Sequence, residues 1–432
     1  MVLKQIDRHQ ILMTGCYACR FLLGAVFVFS GFVKGVDPMG TFIKFEDYLT
    51  AFGMGGLFYD WIIMMAAFAL ATTEFAVGVY LVIGISRLTA AALALTLMAV
   101  MTPLTLYIAI ANPVSDCGCF GDALVLGNME TFIKNLVLLA MAIMTFKKRN
   151  ELKSMVSAKT DWIISMYTIL FALVLSAYCL RNLPILDFRP YRIGVNITEG
   201  MQIPEGKKGD VWESRFLMEK DGEQREFTIE DYPDSTWTYL STRSFLKEKG
   251  YQPPIHDFSI QRMSDGEELT DSILADPNYT FILVAPHIED ADDSNIDLIN
   301  EIYDYALEYG YGFIALTASP QEEVNIWNER TGGEYPFYSM DDITMKTMIR
   351  SNPGLMLLKK GTIYNKWSQA ELPDEYVLTD RLENIPLGEI EERNDMKTLG
   401  YVLLWFVIPL LGTIGIDNLW LSRSKNKTKT TI

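Results

Sequence analysis

Two cysteines separated by a single glycine lie in the peptide Asp116-Cys117-Gly118-Cys119-Phe120-Gly121, between two apolar segments. They are two of only five cysteines in 432 residues. The glycine frees the backbone for a tight loop, and a disulfide in such a loop suits a site that exchanges electrons. The pattern therefore favours redox chemistry or metal binding at Cys117 and Cys119. The alternative is a structural loop that happens to contain cysteine.

A second candidate redox pair is formed by Cys16 and Cys19, in a Cys-Tyr-Ala-Cys motif at the start of an apolar segment. A spacing of three places both thiols on one helix face, and the neighbouring Arg20 would lower a thiol pKa. Packing of two small apolar side chains is the alternative. The sequence leaves open whether Cys117 pairs with its near neighbour in the loop or with Cys179.

Glu74 is an acidic residue in the middle of an apolar segment. An ionised carboxylate there costs several kcal/mol unless it is paired or protonated. Glu74 is thus a candidate proton relay, or a residue that orients a quinone-type electron carrier, which is the candidate cofactor. The alternative is a hydrogen bond to threonine hydroxyls or to a backbone carbonyl. Lys34, near the end of the first apolar segment, is interpreted as an interfacial anchor.

Six apolar segments are long enough, at roughly 20 residues each, to cross a bilayer as helices. The charge is segregated from them, because residues 182–396 carry 42 acidic and 19 basic side chains, a net of −23. The sequence therefore predicts six membrane spans and one acidic, water-facing domain. The spans are placed at 16–35, 61–85, 88–111, 129–146, 162–181 and 398–421.

The basic residues of the short loops fall on one side when six spans alternate, and such residues favour the cytoplasmic side. We therefore expect a bacterial inner-membrane protein with cytoplasmic N- and C-termini and a periplasmic segment at 182–396. The loop pair Cys117 and Cys119 would lie on the periplasmic side, where thiols can be oxidised. Cys16 and Cys19 would lie across the bilayer.

The membrane half resembles a known family in several short motifs. They are Arg20-Phe21-Leu22-Leu23-Gly24, Phe29-Ser30-Gly31-Phe32-Val33-Lys34, Glu74-Phe75-Ala76-Val77-Gly78, Leu81-Val82-Ile83-Gly84 and Arg87. With the CGCFG peptide, they resemble the DoxX superfamily and its MauE branch over residues 11–147. This resemblance implies a four-helix membrane domain associated with disulfide formation or redox maturation of periplasmic proteins, and hence a periplasmic protein client.

The acidic domain shows a hairpin signal at Lys220-Asp221-Gly222-Glu223 and then alternating strands and helices. That alternation favours an α/β layered domain. The predicted order is a strand at 257–260, a turn at 265–266, a strand at 280–285, a helix at 293–309, a strand at 312–317, a helix at 320–330, a short strand near 337, a helix at 342–350 and a strand at 355–359 that turns at 360–361.

This order, with Ser351-Asn352-Pro353-Gly354 before the last hairpin, resembles a thioredoxin or peroxiredoxin-type fold over residues 256–370. The resemblance implies that Pro353 is a cis-proline. Where the family has its cysteines this chain has Pro286-His287-Ile288-Glu289-Asp290, and the domain has no cysteine at all. Pro353 and His287 are thus candidate residues for binding an extended polypeptide. The alternative is a structural relic or an assembly surface.

Other chemistries find little support in the composition. The three histidines are far apart and lack zinc-ligand spacing, so a zinc hydrolase is not predicted and no residue is assigned as a metal ligand. The acidic domain would repel nucleic acid, so none is expected as a partner. Asp116 and Asp122 would raise the pKa values of the loop thiols, which argues against a fast nucleophile.

The fold class predicted is therefore an α-helical membrane bundle, with a DoxX-like four-helix unit and two further spans, joined to an α/β thioredoxin-like domain. Its function is predicted as thiol-disulfide redox or maturation of periplasmic proteins. The alternative is a non-catalytic membrane scaffold or a partner-binding subunit of an envelope complex. The predicted domains are 1–150 for the four-helix unit, 151–182 for a cytoplasmic loop and the fifth span, 183–255 for a β-rich linker, 256–370 for the thioredoxin-like domain, 371–397 for a linker, and 398–432 for the sixth span and a basic tail.

Overall fold

A computed structural model describes most of the chain as a helical bundle joined to an α/β domain. The turn residues Asp221 and Gly222 of the predicted hairpin lie outside the described residues, although the strands on either side are described. The structure describes residues 8–114, 116–220, 223–229, 231, 233, 236–248, 250–391 and 393–429.

Among the described residues, six helices are long and apolar enough to cross a membrane, and each overlaps one of the six predicted segments. The six-span prediction is confirmed on this criterion. The apolar runs exceed the roughly 20 residues that a hydrocarbon core requires, and a helix satisfies its own backbone polar groups in lipid. The spanning helices are α1 (Arg8–Val36), α3 (Asp60–Ile83), α4 (Arg87–Ala111), α5 (Asn128–Lys148), α6 (Asp161–Arg181) and α12 (Asp395–Lys429).

Helices α1 and α3 are in backbone contact through glycine. A Cβ atom on Gly31 would lie 2.2 Å from the backbone nitrogen of Phe75, and one on Gly78 would lie 2.4 Å from that of Val28. Small residues allow this approach in a membrane bundle, where close packing replaces the hydrophobic effect between helices. As a result, the polar side chains of α1 and α3 face each other at short range.

A helix that was not predicted, α2 (Pro38–Ala51), follows α1 directly. Its N-cap is Asp37, whose carboxylate accepts a hydrogen bond from the Gly40 backbone N–H at 2.8 Å, and Pro38 opens its first turn. Asp followed by Pro is a helix-start signal. This helix was missed because the sequence analysis considered only segments long enough to span a membrane.

One end of the bundle is closed by polar contacts to the loop between α5 and α6. Arg20 and Arg87 each donate a guanidinium hydrogen bond to a backbone carbonyl of this loop. The Asp417 carboxylate of α12 accepts hydrogen bonds from Ser157 and Thr160. The start of α1, the α3–α4 turn, the α5–α6 loop and the end of α12 thus meet at one end, as six alternating spans require.

The α/β domain contains a six-stranded sheet in the order β4-β7-β6-β5-β8-β9. Strands β5, β6 and β7 run parallel, and β8 and β9 form an antiparallel hairpin next to β5. The Asn352-Pro353 peptide before β8 is cis, as the resemblance implied. The strands are β4 (Gln261–Arg262), β5 (Tyr279–Val284), β6 (Gly312–Thr317), β7 (Phe337–Ser339), β8 (Gly354–Lys359) and β9 (Thr362–Ser368).

Helices cover both faces of this sheet. Strand β5 is buried along its whole length, and its side chains alternate between the two cores: Phe281 packs with α9, whereas Ile282 packs with α11. This is the continuous apolar run expected of a strand buried on both faces. The remaining helices are α7 (Ile197–Met201), α8 (Thr270–Leu274), α9 (Ile296–Tyr309), α10 (Gln321–Thr331) and α11 (Asp342–Met348).

Three details of the predicted domain differ. The segment 257–260 is not a strand, because pairing with β7 begins only at Gln261. Residues 183–201 do not behave as a linker, since Ile197 is fully buried in the core of the six-stranded sheet and Asn196 bridges to β9. Residues 371–397 are likewise anchored by the fully buried Leu382. Short elements contribute these apolar residues to the core, and such elements are too short to show a period in the sequence.

The predicted hairpin belongs to a separate three-stranded antiparallel sheet. It consists of β1 (Val211–Lys220), β2 (Glu223–Phe227) and β3 (Thr238–Glu248), in the order β2-β1-β3. Lys220 pairs with Glu223 across the turn, which confirms the hairpin.

Candidate functional site

A disulfide joins Cys117 to Cys119, with Cα atoms 5.4 Å apart. Cys179, the other possible partner, is a free and buried thiol in α6. The loop pair therefore pairs with itself. Gly118 between the two cysteines has a φ of +62°, and a Cβ atom there would lie 2.9 Å from Cγ of Lys44, so glycine is required at this position.

Three side chains of α1 and α2 hold this loop by its backbone carbonyl groups. Ser30 Oγ and Lys34 Nζ donate to the Cys119 carbonyl at 2.7 and 2.8 Å, and the Tyr48 hydroxyl donates to the Cys117 carbonyl at 2.8 Å. These contacts hold the disulfide loop against α1 and α2. Burial raises the pKa of Tyr48, so its hydroxyl keeps the proton that it donates.

Glu74 forms a buried ion pair with Lys34, with Nζ and Oε2 2.7 Å apart. Ser30 Oγ also lies 2.7 Å from the same carboxylate oxygen, and its single hydroxyl proton serves either this oxygen or the Cys119 carbonyl. The interpretation of Lys34 as an interfacial anchor was wrong: its side chain turns inward because Glu74 lies opposite on α3 and would otherwise be buried unpaired. The carboxylate binds these two side chains rather than threonines. Its role as a proton relay stays a prediction.

The acidic residues beside the pair are matched by cations. Asp116 Oδ2 lies 3.0 Å from Lys44 Nζ, and Asp122 Oδ2 lies 3.3 Å from a guanidinium nitrogen of Arg350. Burial raises the pKa of Asp122, although Arg350 acts in the opposite direction. The two aspartates are therefore not the free negative charges that the sequence analysis assumed beside the thiols.

Arg350 joins the α/β domain to the membrane bundle. Its guanidinium contacts both carboxylate oxygens of Asp37, at 3.0 to 3.1 Å, and its side chain is only 7% exposed. Burial alone would raise the pKa of Asp37, but the adjacent Arg350 guanidinium lowers it overall. Asp37 caps α2 and Asp122 follows the disulfide, so one arginine contacts the bundle on both sides of the disulfide loop.

A cleft of about 950 Å³ lies between this docked domain and the bundle, and the disulfide is in its wall. The bundle contributes α1, α2 and the outer parts of α3 and α4, and the α/β domain contributes α11 and the segment 188–190. Cys117 is only 7% exposed, whereas Cys119 is partly exposed. The pair is therefore reached through the cleft rather than across an open surface.

The disulfide loop is recessed into the bundle. Ser30 and Lys34 contact both the Cys119 carbonyl and the Glu74 carboxylate. Glu74 lies 14 residues from one end of α3 and nine from the other. At 1.5 Å per residue these distances are about 21 and about 14 Å. The disulfide thus lies close to a mid-span residue.

The second cysteine pair is remote from this site. Cys16 and Cys19 are free thiols on α1. Cys19 lies 15 residues before Lys34, which is about 22 Å along the helix. Cys16 is fully buried, and Cys19 Sγ lies 3.8 Å from the Met144 sulfur. The structure does not bring them to the redox loop, and their own redox chemistry stays a prediction.

Pro353 and His287 lie in different environments. Pro353 is buried, and the carbonyl of the preceding Asn352 already accepts a hydrogen bond from the Asp292 backbone N–H at 3.0 Å. His287 is 42% exposed, with Nε2 3.2 Å from Asp342 on the cleft wall. The groove that the resemblance implied beside Pro353 is therefore filled by the domain itself, which was not expected.

Tyr48 and Arg350 were not identified from the sequence, and Lys34 was assigned another role. A signal existed for Lys34, because a lone carboxylate in one span requires a cation in another. Arg350 and its partner Asp37 are 313 residues apart, and no local pattern relates them. Among the described residues, no group of three or more histidine, cysteine or acidic side chains is arranged to hold a metal ion.

Comparisons with known proteins agree with this division of the chain. Residues 12–147 match the family described as Methylamine utilisation protein MauE, and residues 212–249 match a domain of unknown function, DUF8463. A solved structure titled as that of a putative protein disulfide isomerase from Bacteroides thetaiotaomicron is 19% identical, covers 26% of this chain and 73% of its own, and has a TM-score of 0.21.

The thioredoxin-like order of the α/β domain rests on its strand topology. No curated protein matches the chain. The match to MauE covers α1 to α5 up to Lys147, and it includes the disulfide loop and all its bundle contacts. Residues 12–147 are therefore a MauE-family membrane domain, which this chain joins to a thioredoxin-like α/β domain.

Proposed function

We propose that this protein exchanges disulfides with cysteine-containing segments of periplasmic proteins through Cys117 and Cys119. The observation that supports it is the disulfide itself, held by three backbone hydrogen bonds in the wall of a large cleft. In the exchange, a client thiolate attacks one sulfur and a second client thiol releases the client as a disulfide. The pair is left as two thiols, so two electrons and two protons pass from client to protein.

The two cysteines differ in exposure. Cys117 is only 7% exposed, whereas Cys119 is partly exposed and its carbonyl is held by Lys34 Nζ at 2.8 Å. We therefore assign Cys119, the more exposed cysteine, as the sulfur that meets the client. Lys34 acts here as a positioning residue.

In this proposal the α/β domain covers the redox site. It contributes no thiol, and its α11 forms part of the cleft wall. A thioredoxin-like domain docked in this position restricts access to small molecules and extended segments. The protein would lie in the bacterial inner membrane, with the cleft and residues 182–396 on the periplasmic side, where thiol oxidation is permitted.

One observation favours the second candidate function, a partner-binding subunit of an envelope complex. The three-stranded sheet of residues 211–248 is separate from the main sheet, and its outer strands β2 and β3 each pair on one side only among the described residues. Open strand edges are templates for pairing with another chain. This surface is compatible with exchange at the disulfide, since the two lie in different parts of the molecule.

The test of exchange uses the purified full-length protein and a reduced peptide that contains two cysteines. We expect one peptide disulfide to form per protein molecule, measured by mass spectrometry after alkylation of the remaining thiols. Cys117→Ser and Cys119→Ser should each reduce peptide oxidation to the rate without protein. Cys179→Ser is the matched control and should retain the full yield.

Single-cysteine variants at the loop sharpen the assignment. With Cys117→Ser, the remaining Cys119 should form a mixed disulfide with an activated peptide faster than Cys117 does in the Cys119→Ser variant. Full peptide oxidation by either serine variant, with an intact fold, would exclude the loop as the redox site and leave the partner-binding function.

A further inference from the structure

We propose that the same cleft binds a lipid-soluble quinone, which accepts the electrons of the reduced Cys117–Cys119 pair. The inference rests on the proposed function, because it names the oxidant that restores the disulfide after a client has been oxidised. The two partners would use the cleft in turn, first the client and then the quinone.

The first argument is the depth of the cleft. Its lining includes Leu70 of α3 and Met101 and Leu104 of α4. Leu70 lies ten residues from the outer end of α3, and Leu104 lies seven residues from the outer end of α4, which correspond to about 15 and about 10 Å along the helices. The cleft therefore reaches apolar residues at the depth of the lipid chains, where a water-soluble oxidant would gain nothing.

The second argument is the polarity of the opposite end. There the cleft is lined by Lys44, Glu46 and Tyr48 of α2, beside the disulfide. Among the described residues, Glu46 has neither a hydrogen-bond nor an ion-pair partner. Burial raises the pKa of Glu46 against the opposing effect of Lys346, so its carboxyl can carry a proton. The Tyr48 proton is already donated to the Cys117 carbonyl, so the donors left for a ligand are the remaining ammonium protons of Lys44 and a carboxyl proton on Glu46. These donors at one end and apolar residues at the other match a molecule with two carbonyl oxygens on its ring and an isoprenoid chain.

The volume agrees with this occupant. Small-molecule sites usually span roughly 300 to 1,000 Å³, and the cleft measures about 950 Å³. That is enough for a quinone ring and the first units of its chain. The docked α/β domain forms part of the wall on the water side through Arg350, which leaves the bilayer side as the route for an apolar chain.

The reaction balances without any further reactant. Two thiols lose two electrons and two protons and form the sulfur–sulfur bond, and the quinone takes up both electrons and both protons as quinol. Glu46 lies in the cleft wall as a group that could pass a proton between the two. Adding decylubiquinone to the chemically reduced protein, freed of reductant, should therefore produce one quinol per disulfide formed.

Binding is tested separately from electron transfer with a photoreactive azidoquinone on the full-length protein in nanodiscs. We expect labelled peptides from α2, from α4 and from the 116–122 loop, with competition by unlabelled decylubiquinone. The Cys117→Ala/Cys119→Ala double variant should be labelled equally, because the cleft does not need the sulfurs to bind. This measurement does not depend on the exchange activity.

Leu104→Trp fills the cleft from α4 and should reduce this labelling at least tenfold. The matched control is Leu106→Trp on the same helix, where the native side chain is 41% exposed and does not line the cleft. Labelling that is not competed, or that survives equally in both tryptophan variants, would overturn the inference. If the protein still oxidises the dithiol peptide in that case, the proposed function stands and only the quinone is excluded.

Discussion

Replacing Lys34 with methionine should destabilise the membrane bundle by about 3–5 kcal/mol, because it leaves the Glu74 carboxylate buried without its cation. The same change removes a hydrogen bond from the Cys119 carbonyl, so the redox loop should lose its position as well. The free energy of unfolding in detergent and the rate of peptide oxidation measure the two effects on one protein. Both should fall.

The double variant Lys34→Met/Glu74→Met separates the two effects. Exchange of a whole buried ion pair for apolar side chains is often neutral, so stability should recover. Peptide oxidation should remain impaired, because the Cys119 carbonyl still lacks its lysine donor. Lys147→Met, at an exposed position of α5, is the control and should change neither quantity. A Lys34→Met protein as stable as the native one would mean that the ion pair is not formed.

Replacing Arg350 with alanine should release the α/β domain from the redox site. The change removes the cation that is shared by Asp37 and Asp122, and breaking a buried pair costs about 3–5 kcal/mol. Since 1.4 kcal/mol corresponds to a factor of about ten, the undocked state should become at least tenfold more populated. After reduction, Cys117 and Cys119 should react at least tenfold faster with a polymer-linked maleimide.

Reagent size is the control within this experiment. N-ethylmaleimide is small enough to enter the native cleft, so its reaction rate should change much less than that of the polymer reagent. Arg330→Ala is the matched variant, because this arginine is 47% exposed and pairs with Asp293, and neither residue lines the cleft. Equal polymer rates in the native, Arg350→Ala and Arg330→Ala proteins would show that the domain does not cover the pair.

The secondary structure was largely predictable because its signals are local. Long apolar runs indicate membrane spans, and strand β6 was predicted with its observed bounds, Gly312–Thr317. The turn between β8 and β9 was also predicted from the sequence, and Lys360 and Gly361 in this turn both have positive φ. Short elements such as α7 and α8 were missed, because five residues are too few to show a period.

The site was predictable only in part, because its contacts join distant residues. The cysteine spacing indicated the pair. A lysine near a helix end is usually interfacial, so Lys34 was misinterpreted, because its partner Glu74 lies on another helix. The contact of Arg350 with Asp37 depends on how two domains dock, which no local pattern expresses. The burial of Pro353 has the same origin, since the segment up to Asp292 folds over it.

The combination of domains suggests why a thioredoxin-like fold without cysteine is present. In this structure its α11 and Arg350 lie against the redox loop, so the fold supplies a shaped cover and no sulfur chemistry. In the proposed function, the membrane domain carries the chemistry and the cover selects what reaches it. This division explains how the cysteines can be confined to the membrane half.

The most direct test of this account is the redox state of Cys117 and Cys119 in intact cells. Free thiols are first blocked with one alkylating reagent, disulfides are then reduced and marked with a second, heavier reagent, and the loop peptide is measured by mass spectrometry. We predict a pair that is oxidised at rest, becomes reduced during a brief reducing treatment and is reoxidised when that treatment ends. A pair that stays reduced and unreactive in growing cells would contradict the proposed redox function.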